Sequence, residues 1–181
     1  SAMRAEALRL PSPGGVMAHA NDIMLRGAAP EEFATAFFGL LDNISGHFSY
    51  CLAGHPSPVL LRDGADPVLL AEPNIVLGVR ADSRYAASET ILDPGDLLVL
   101  YTDGLTEAKN RKGERFGTER LLENVASCVA EPAEDVPESL FLSAFSFADG
   151  HLDDDVAIMA LRRTGADPGG SVQGRLKLAC A

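Results

Sequence analysis

The sequence predicts an α+β fold, with antiparallel hairpins and helices grouped apart instead of alternating. Three observations lead there. Short apolar runs, broken by turns rich in Gly, Asn and Asp, recur between residues 33 and 101. Two stretches with helical apolar spacing follow one another between residues 117 and 147. No internal repeat and no linker divides the 181 residues, a length that suits one domain with a sizeable core.

The elements follow in order. Ser1-Ala2 ahead of Met3 reads as a tag-cleavage remnant, so residues 1–3 are set aside. Met3–Leu10 is helix-permissive. Ser12-Pro13 has the form of an N-cap followed by Pro at the first helical position. Val16, Met17, Ala20, Ile23, Met24 and Leu25 then form an apolar face, and Gly27 stops the helix. Phe33–Leu41 predicts a strand, Asn43–Gly46 a turn, and Phe48–Leu52 the return strand. Val59–Leu61 and Val68–Leu70 flank Asp63-Gly64 and predict a second hairpin. Tyr85–Leu92 alternates loosely and leads into the tight turn Asp93-Pro94-Gly95-Asp96. A buried strand runs from Leu97 to Asp103, and Asn110–Gly113 is a charged turn. Helices are expected from Gly117 to Val129 and from Asp135 to Phe147, the second with Pro137 in its first turn. Asp155–Arg162 is the last strand. Residues 4–163 make the domain, and 164–181, rich in Gly and polar residues, read as a flexible tail.

Composition narrows the function. Hydrophobic residues are 46% of the chain and Trp is absent, so the core is aliphatic. A net charge of −11 disfavours nucleic acid and anionic membrane as partners. Cys51, Cys128 and Cys180 show no metal-type spacing and read as free thiols, which fits a reducing cytoplasm. No apolar run is long enough to span a membrane.

Two acidic strand ends stand out. Leu97–Tyr101 delivers Asp103 into a Gly turn, and Asp153-Asp154-Asp155 runs straight into Val156–Leu161. Carboxylates held at the mouths of buried strands need compensation, and one divalent ion shared between two strand ends supplies it.

Several motifs then fall into one order: Ala53-Gly54-His55-Pro56, Asp93-Pro94-Gly95-Asp96, Tyr101–Ala108, Phe116-Gly117 and Asp154-Asp155-Val156. The set resembles the bacterial branch of the metal-dependent protein serine/threonine phosphatases, the protein phosphatase 2C superfamily. Within it, the resemblance is to the sporulation and stress-response phosphatases that act on anti-anti-sigma proteins, over residues 12–163. It implies two packed antiparallel sheets flanked by helices, and aspartates holding two Mn²⁺ or Mg²⁺ ions. Carried over, Asp103 and Asp154 are the metal ligands, with Gly104 and Asp155 their neighbours. The implied partner is a phosphorylated regulatory protein, such as an anti-sigma factor antagonist.

One departure matters. The family opens with a strand motif like Asp-Val-Ser-Gly-His-Gly whose aspartate bridges the two metals, and this chain has none. Ser45-Gly46-His47 lacks the preceding acid. The expectation is a domain lacking its N-terminal part, or a degenerate member, with exposed sheet edges that invite homodimerisation. Secondary candidates carry a bland reading beside the functional one. His55 is a general acid for the leaving group or a packed turn residue. Glu107 orients metal-bound water, caps a short helix, or pairs with Arg111. Lys109, Arg111, Lys112 and Arg115 greet a phosphorylated partner or form a solvated loop. His19 and His151 read as surface residues. The rival to an enzyme is a pseudophosphatase that binds a partner without hydrolysis. A further reading is an unrelated β-sandwich with acidic loops.

Overall fold

The computed structural model describes residues 12–27, 32–70, 73–165 and 175–180. The chain divides into two compact units, one of residues 1–55, 71–92 and 166–181, the other of residues 56–70 and 93–165. Each carries one antiparallel four-stranded sheet. The predicted α+β class and its two antiparallel sheets are what the structure shows.

In the first unit the strand order is β5-β2-β1-β8, with β1 Ala36–Asp42, β2 His47–Ala53, β5 Ser88–Ile91 and β8 Arg175–Cys180. The β1–β2 turn forms because the Asp42 carboxylate accepts the backbone N–H groups of Ile44 and Ser45, both at 3.0 Å. Gly46 closes it at φ +76°, where a side chain would be strained. Helix α1, Pro13–Gly27, opens as expected: the Ser12 hydroxyl accepts the Gly15 N–H at 3.2 Å. Its Val16, Met17 and Ala20 pack with Ala36, Phe38 and Leu40 of β1. The alternate residues Phe37 and Leu41 are equally buried, so β1 reads as a continuous apolar run. Gly39 leaves room for the Phe48 ring, which a Cβ there would meet at 2.6 Å.

The loop between β4 and β5 is held by side-chain amides. Buried Asn21 of α1 donates to the Arg80 carbonyl (3.0 Å) and accepts from the Gly78 N–H (2.9 Å) and the Tyr85 hydroxyl (3.1 Å). Asn74 donates to the carbonyls of Leu52 (2.9 Å) and Ala86 (3.1 Å).

In the second unit the order is β4-β3-β6-β7, with β3 Val59–Leu61, β4 Val68–Leu69, β6 Leu97–Tyr101 and β7 Ile158–Arg162. Helices α2 (Asp103–Glu107), α3 (Gly117–Ser127) and α4 (Val136–Phe147) belong to the same unit. Val59, Leu61, Leu97, Val99 and Tyr101 on one sheet face form a core with Leu105, Leu121, Val125, Val136 and Leu140 of the helices. The turn before β6 is tied by Asp96. Its buried carboxylate accepts the Asp93 N–H (2.8 Å) and pairs with Arg62 (3.0 Å).

Several expectations are corrected. The first strand starts at Ala36, not Phe33, whose side chain is 65% exposed; Ala34 makes only an isolated bridge to Leu77. The last strand starts at Ile158, not Asp155. The tail expected over 164–181 contains a strand: Arg175–Cys180 pairs antiparallel with β1 from Asp42↔Arg175 to Phe37↔Cys180. An unpaired β1 edge would offer backbone donors and acceptors, and β8 satisfies them. The expectations for residues 1–3 and for a helix over Met3–Leu10 lie outside the described residues. Among the described residues, no helix is long and apolar enough to cross a membrane.

Candidate metal centre

Strands β6 and β7 run antiparallel, with Tyr101 opposite Ile158. The residue after Tyr101 and the residue before Ile158 are still joined: the Thr102 N–H donates to the Ala157 carbonyl at 3.0 Å. One step further, the chain from β6 enters α2 at Asp103, and the chain into β7 carries Asp153-Asp154-Asp155. The strand pairing therefore brings Asp103 and the acidic triplet to one end of one sheet, although about fifty residues separate them in sequence.

The approach is close. A Cβ on Gly104 would run into the Asp155 carbonyl, and Val156 lies at 3.3 Å from the same point. Gly104 is thus the residue that lets the two strand ends touch. The Thr102 hydroxyl donates to the Asp155 carbonyl (3.1 Å) and accepts the Ala157 N–H (2.9 Å). Asp103, Asp153, Asp154 and Asp155 are all exposed. The Asp154 carboxylate accepts the Asp155 N–H at 2.8 Å, which restrains its rotamer. Asp153 faces His151 at 3.4 Å.

The secondary candidates separate. Glu107 stands one turn along α2 from Asp103 and pairs with Arg115 at 2.8 Å, not with Arg111. Arg111 instead meets Asp149 at 3.5 Å. Lys109–Arg115 is a small hairpin closed by the Lys109↔Arg115 bridge and by Asn110, whose side chain accepts the N–H groups of Lys112 and Glu114. Its four basic residues are exposed. His55 belongs to the other unit, is 1% exposed, and its Nδ1 lies 3.3 Å from the Thr35 hydroxyl. That placement suits the packed-turn reading. His151 is exposed, whereas His19 is half-buried. Cys51 and Cys128 are free and buried, and burial pushes both thiols up to about 11.

The donor chemistry bears on which ion fits. Water-exposed carboxylates on adjoining strand ends suit one hard divalent ion that keeps most of its water, such as Mg²⁺ or Mn²⁺. Among the described residues, no group of three or more His, Cys, Asp or Glu side chains could hold a metal ion. Thr102 lies inside the Tyr101–Ala108 motif, which by itself points to no role for its hydroxyl. The available signal was a β-branched hydroxyl residue placed directly before the strand-end acid.

Comparison with known proteins bears on the family and the fold. The family model for stage II sporulation protein E (SpoIIE) matches residues 1–164. Protein IcfG of Synechocystis sp. is 30% identical over 132 residues, 72% of this chain and 21% of that protein. Phosphoserine phosphatase RsbU of Bacillus subtilis is 27% identical over 155 residues, 83% of this chain and 45% of that protein. The chain thus spans less than half the length of these curated relatives. Among solved structures, the RsbU and RsbW domains of Rv1364c from Mycobacterium tuberculosis match with a TM-score of 0.78 at 26% identity, covering 92% of this chain and 46% of that one.

Proposed function

This chain belongs to the stage II sporulation protein E family, and on that premise we propose that it acts as a metal-dependent protein serine/threonine phosphatase domain. The substrate class is a phosphorylated regulatory protein of a sigma-factor partner switch, in the manner of an anti-sigma factor antagonist. The reading rests on one observation above the rest: Asp103 and Asp154, distant in sequence, stand at the joined ends of β6 and β7. Phosphoserine phosphatase RsbU, by its name, acts on phosphoserine, and its likeness to this chain supports the same chemistry here. Two free buried thiols fit work in a reducing cytoplasm.

The roles of the chain's own residues follow from their placement. Asp103 and Asp154 would hold Mn²⁺ or Mg²⁺ through carboxylate oxygen. The bound ion supplies activation of water and charge compensation at the phosphoryl oxygens. Gly104 keeps the two acids close by leaving Asp155 unobstructed. Glu107 is fixed by Arg115 and borders the same helix face as Asp103. Lys109, Arg111, Lys112 and Arg115 place positive charge on the segment directly after α2, where a phosphorylated, acidic segment of a partner gains by docking. Among the described residues, the donor set stays sparse, with no group of three or more His, Cys, Asp or Glu side chains that could hold a metal ion. That shortfall favours a second reading, a pseudophosphatase that binds its partner and does not hydrolyse it.

The test is a Mn²⁺ titration followed by electron paramagnetic resonance, with p-nitrophenyl phosphate hydrolysis measured alongside. Asp103→Asn and Asp154→Asn are each expected to weaken Mn²⁺ binding by about tenfold or more, and Asp153→Asn to leave it unchanged. Mn²⁺ binding without hydrolysis would favour the pseudophosphatase. Equal affinity in wild type and both Asn variants would remove the metal assignment.

A further inference from the structure

The ladder between β6 and β7 changes character at its last rung. Thr102 lies opposite Ala157 and donates its N–H to the Ala157 carbonyl at 3.0 Å. A hydrogen-bonded antiparallel pair returns the second bond from Ala157 N–H to the Thr102 carbonyl. Here the Ala157 N–H goes to the Thr102 hydroxyl instead, at 2.9 Å. The Thr102 carbonyl accepts the Leu105 N–H at 3.1 Å, the first turn of α2. The side chain has taken over the rung that the backbone gave up to start a helix. The same hydroxyl donates its proton to the Asp155 carbonyl at 3.1 Å, so one O–H donor and one acceptor site are both used.

We propose that Thr102 is a positioning residue whose hydroxyl sets the register between the carboxylates of Asp103 and Asp154. It stands next to the first in sequence and grips the segment that carries the second. The proposal rests on reading those two aspartates as joint cation donors. Serine at this position keeps the hydroxyl. Valine keeps the branched shape but can neither donate nor accept, so the pair separates hydrogen bonding from volume.

The experiment measures two things in wild type, Thr102→Ser, Thr102→Val and Thr102→Ala: amide hydrogen exchange at Ala157 by NMR without metal, and Mn²⁺ affinity by electron paramagnetic resonance. The smaller Ala variant covers the case in which Val crowds the strand end. The clamp predicts that Ala157 exchanges about tenfold faster in the Val and Ala variants and that Mn²⁺ binds about fivefold more weakly there, with Ser restoring both. Unchanged exchange at Ala157 in the Val and Ala variants would overturn the clamp. Faster exchange with unaltered Mn²⁺ affinity would overturn the positioning role. Failure of the metal reading itself is recognised separately, by wild-type Mn²⁺ affinity in Asp103→Asn, and the Ala157 exchange decides the clamp even then.

Discussion

Asn21 shows how a single polar residue is tolerated in an apolar setting. It is fully buried on α1, one turn after Met17, and its side chain is the partner of the Gly78 N–H, whereas the Arg80 carbonyl also accepts from the Ser83 hydroxyl and the Tyr85 hydroxyl also reaches the Val76 carbonyl. Its amide serves the Arg80 carbonyl, the Gly78 N–H and the Tyr85 hydroxyl together. Removing one partner of a buried hydrogen bond costs more than the bond itself, because the remaining group stays dry and unpaired. Asn21→Ala, which leaves the Gly78 N–H unpaired, is therefore expected to destabilise the fold by about 1–3 kcal/mol. Urea denaturation should show a lower midpoint with an unchanged slope. An unchanged midpoint would mean that water reaches the vacated amide. The sequence marked Met17 and Ala20 on this face but gave Asn21 no role, because helical periodicity registers apolar residues and is blind to a polar one that is satisfied inside. His55 was ambiguous for a related reason. A Gly-His-Pro turn looks the same whether its imidazole is packed against Thr35 or free to transfer a proton.

Among the secondary-structure elements, what could be read in advance was whatever packing decides. β3 and β6 are buried on both faces and appear as unbroken apolar runs; α3 and α4 follow the 3.6-residue spacing of Leu121, Val125, Val136 and Leu140. Ends were misread where a side chain replaces backbone pairing. Thr102 occupies the rung that would have extended β7 back toward Asp155, so the strand begins at Ile158. α2 has only five residues, too few to give a periodic signal. The joins between elements depend on a few long side chains. Arg162 of β7 donates to the Gly95 carbonyl at 2.9 Å and to the carbonyls of Cys128 and Glu131, both at 3.0 Å. One guanidinium thereby ties the turn before β6 to the segment that ends α3. An ammonium is a compact charge and cannot span these carbonyls at once. Arg162→Lys should lower stability by about 1–3 kcal/mol in urea or thermal unfolding, although charge is conserved. Equal stability would show that solvent substitutes for the guanidinium at this join.

For the whole molecule, the meeting of the strand ends that carry Asp103 and Asp154 is suggested in the sequence by an acid at the end of each of two apolar runs and by the order of the motifs. Two strands separated by more than fifty residues carry no local sign that they are neighbours, and sheet order settles it: β7 pairs with β6. Sheet order also decides the fate of β1. The sequence suggested a sheet with exposed edges, yet β8 pairs with β1 along six residues. Without β8, the stretch Phe37–Leu41 would present a row of unpaired backbone groups on an apolar strand, which is the condition for association through strand pairing. The chain's net charge of −11 opposes self-association at long range but acts weakly beyond about 8 Å at physiological salt. Local backbone pairing should therefore prevail. Deleting residues 166–181 is expected to increase self-association relative to the full chain in sedimentation velocity, with circular dichroism confirming that the rest remains folded. A peptide matching Arg175–Cys180, added in excess, should reverse the effect by occupying the β1 edge. If the shortened chain sediments as the full one does, the β1 edge is not open to another strand when β8 is gone, and homodimerisation through that edge falls with it.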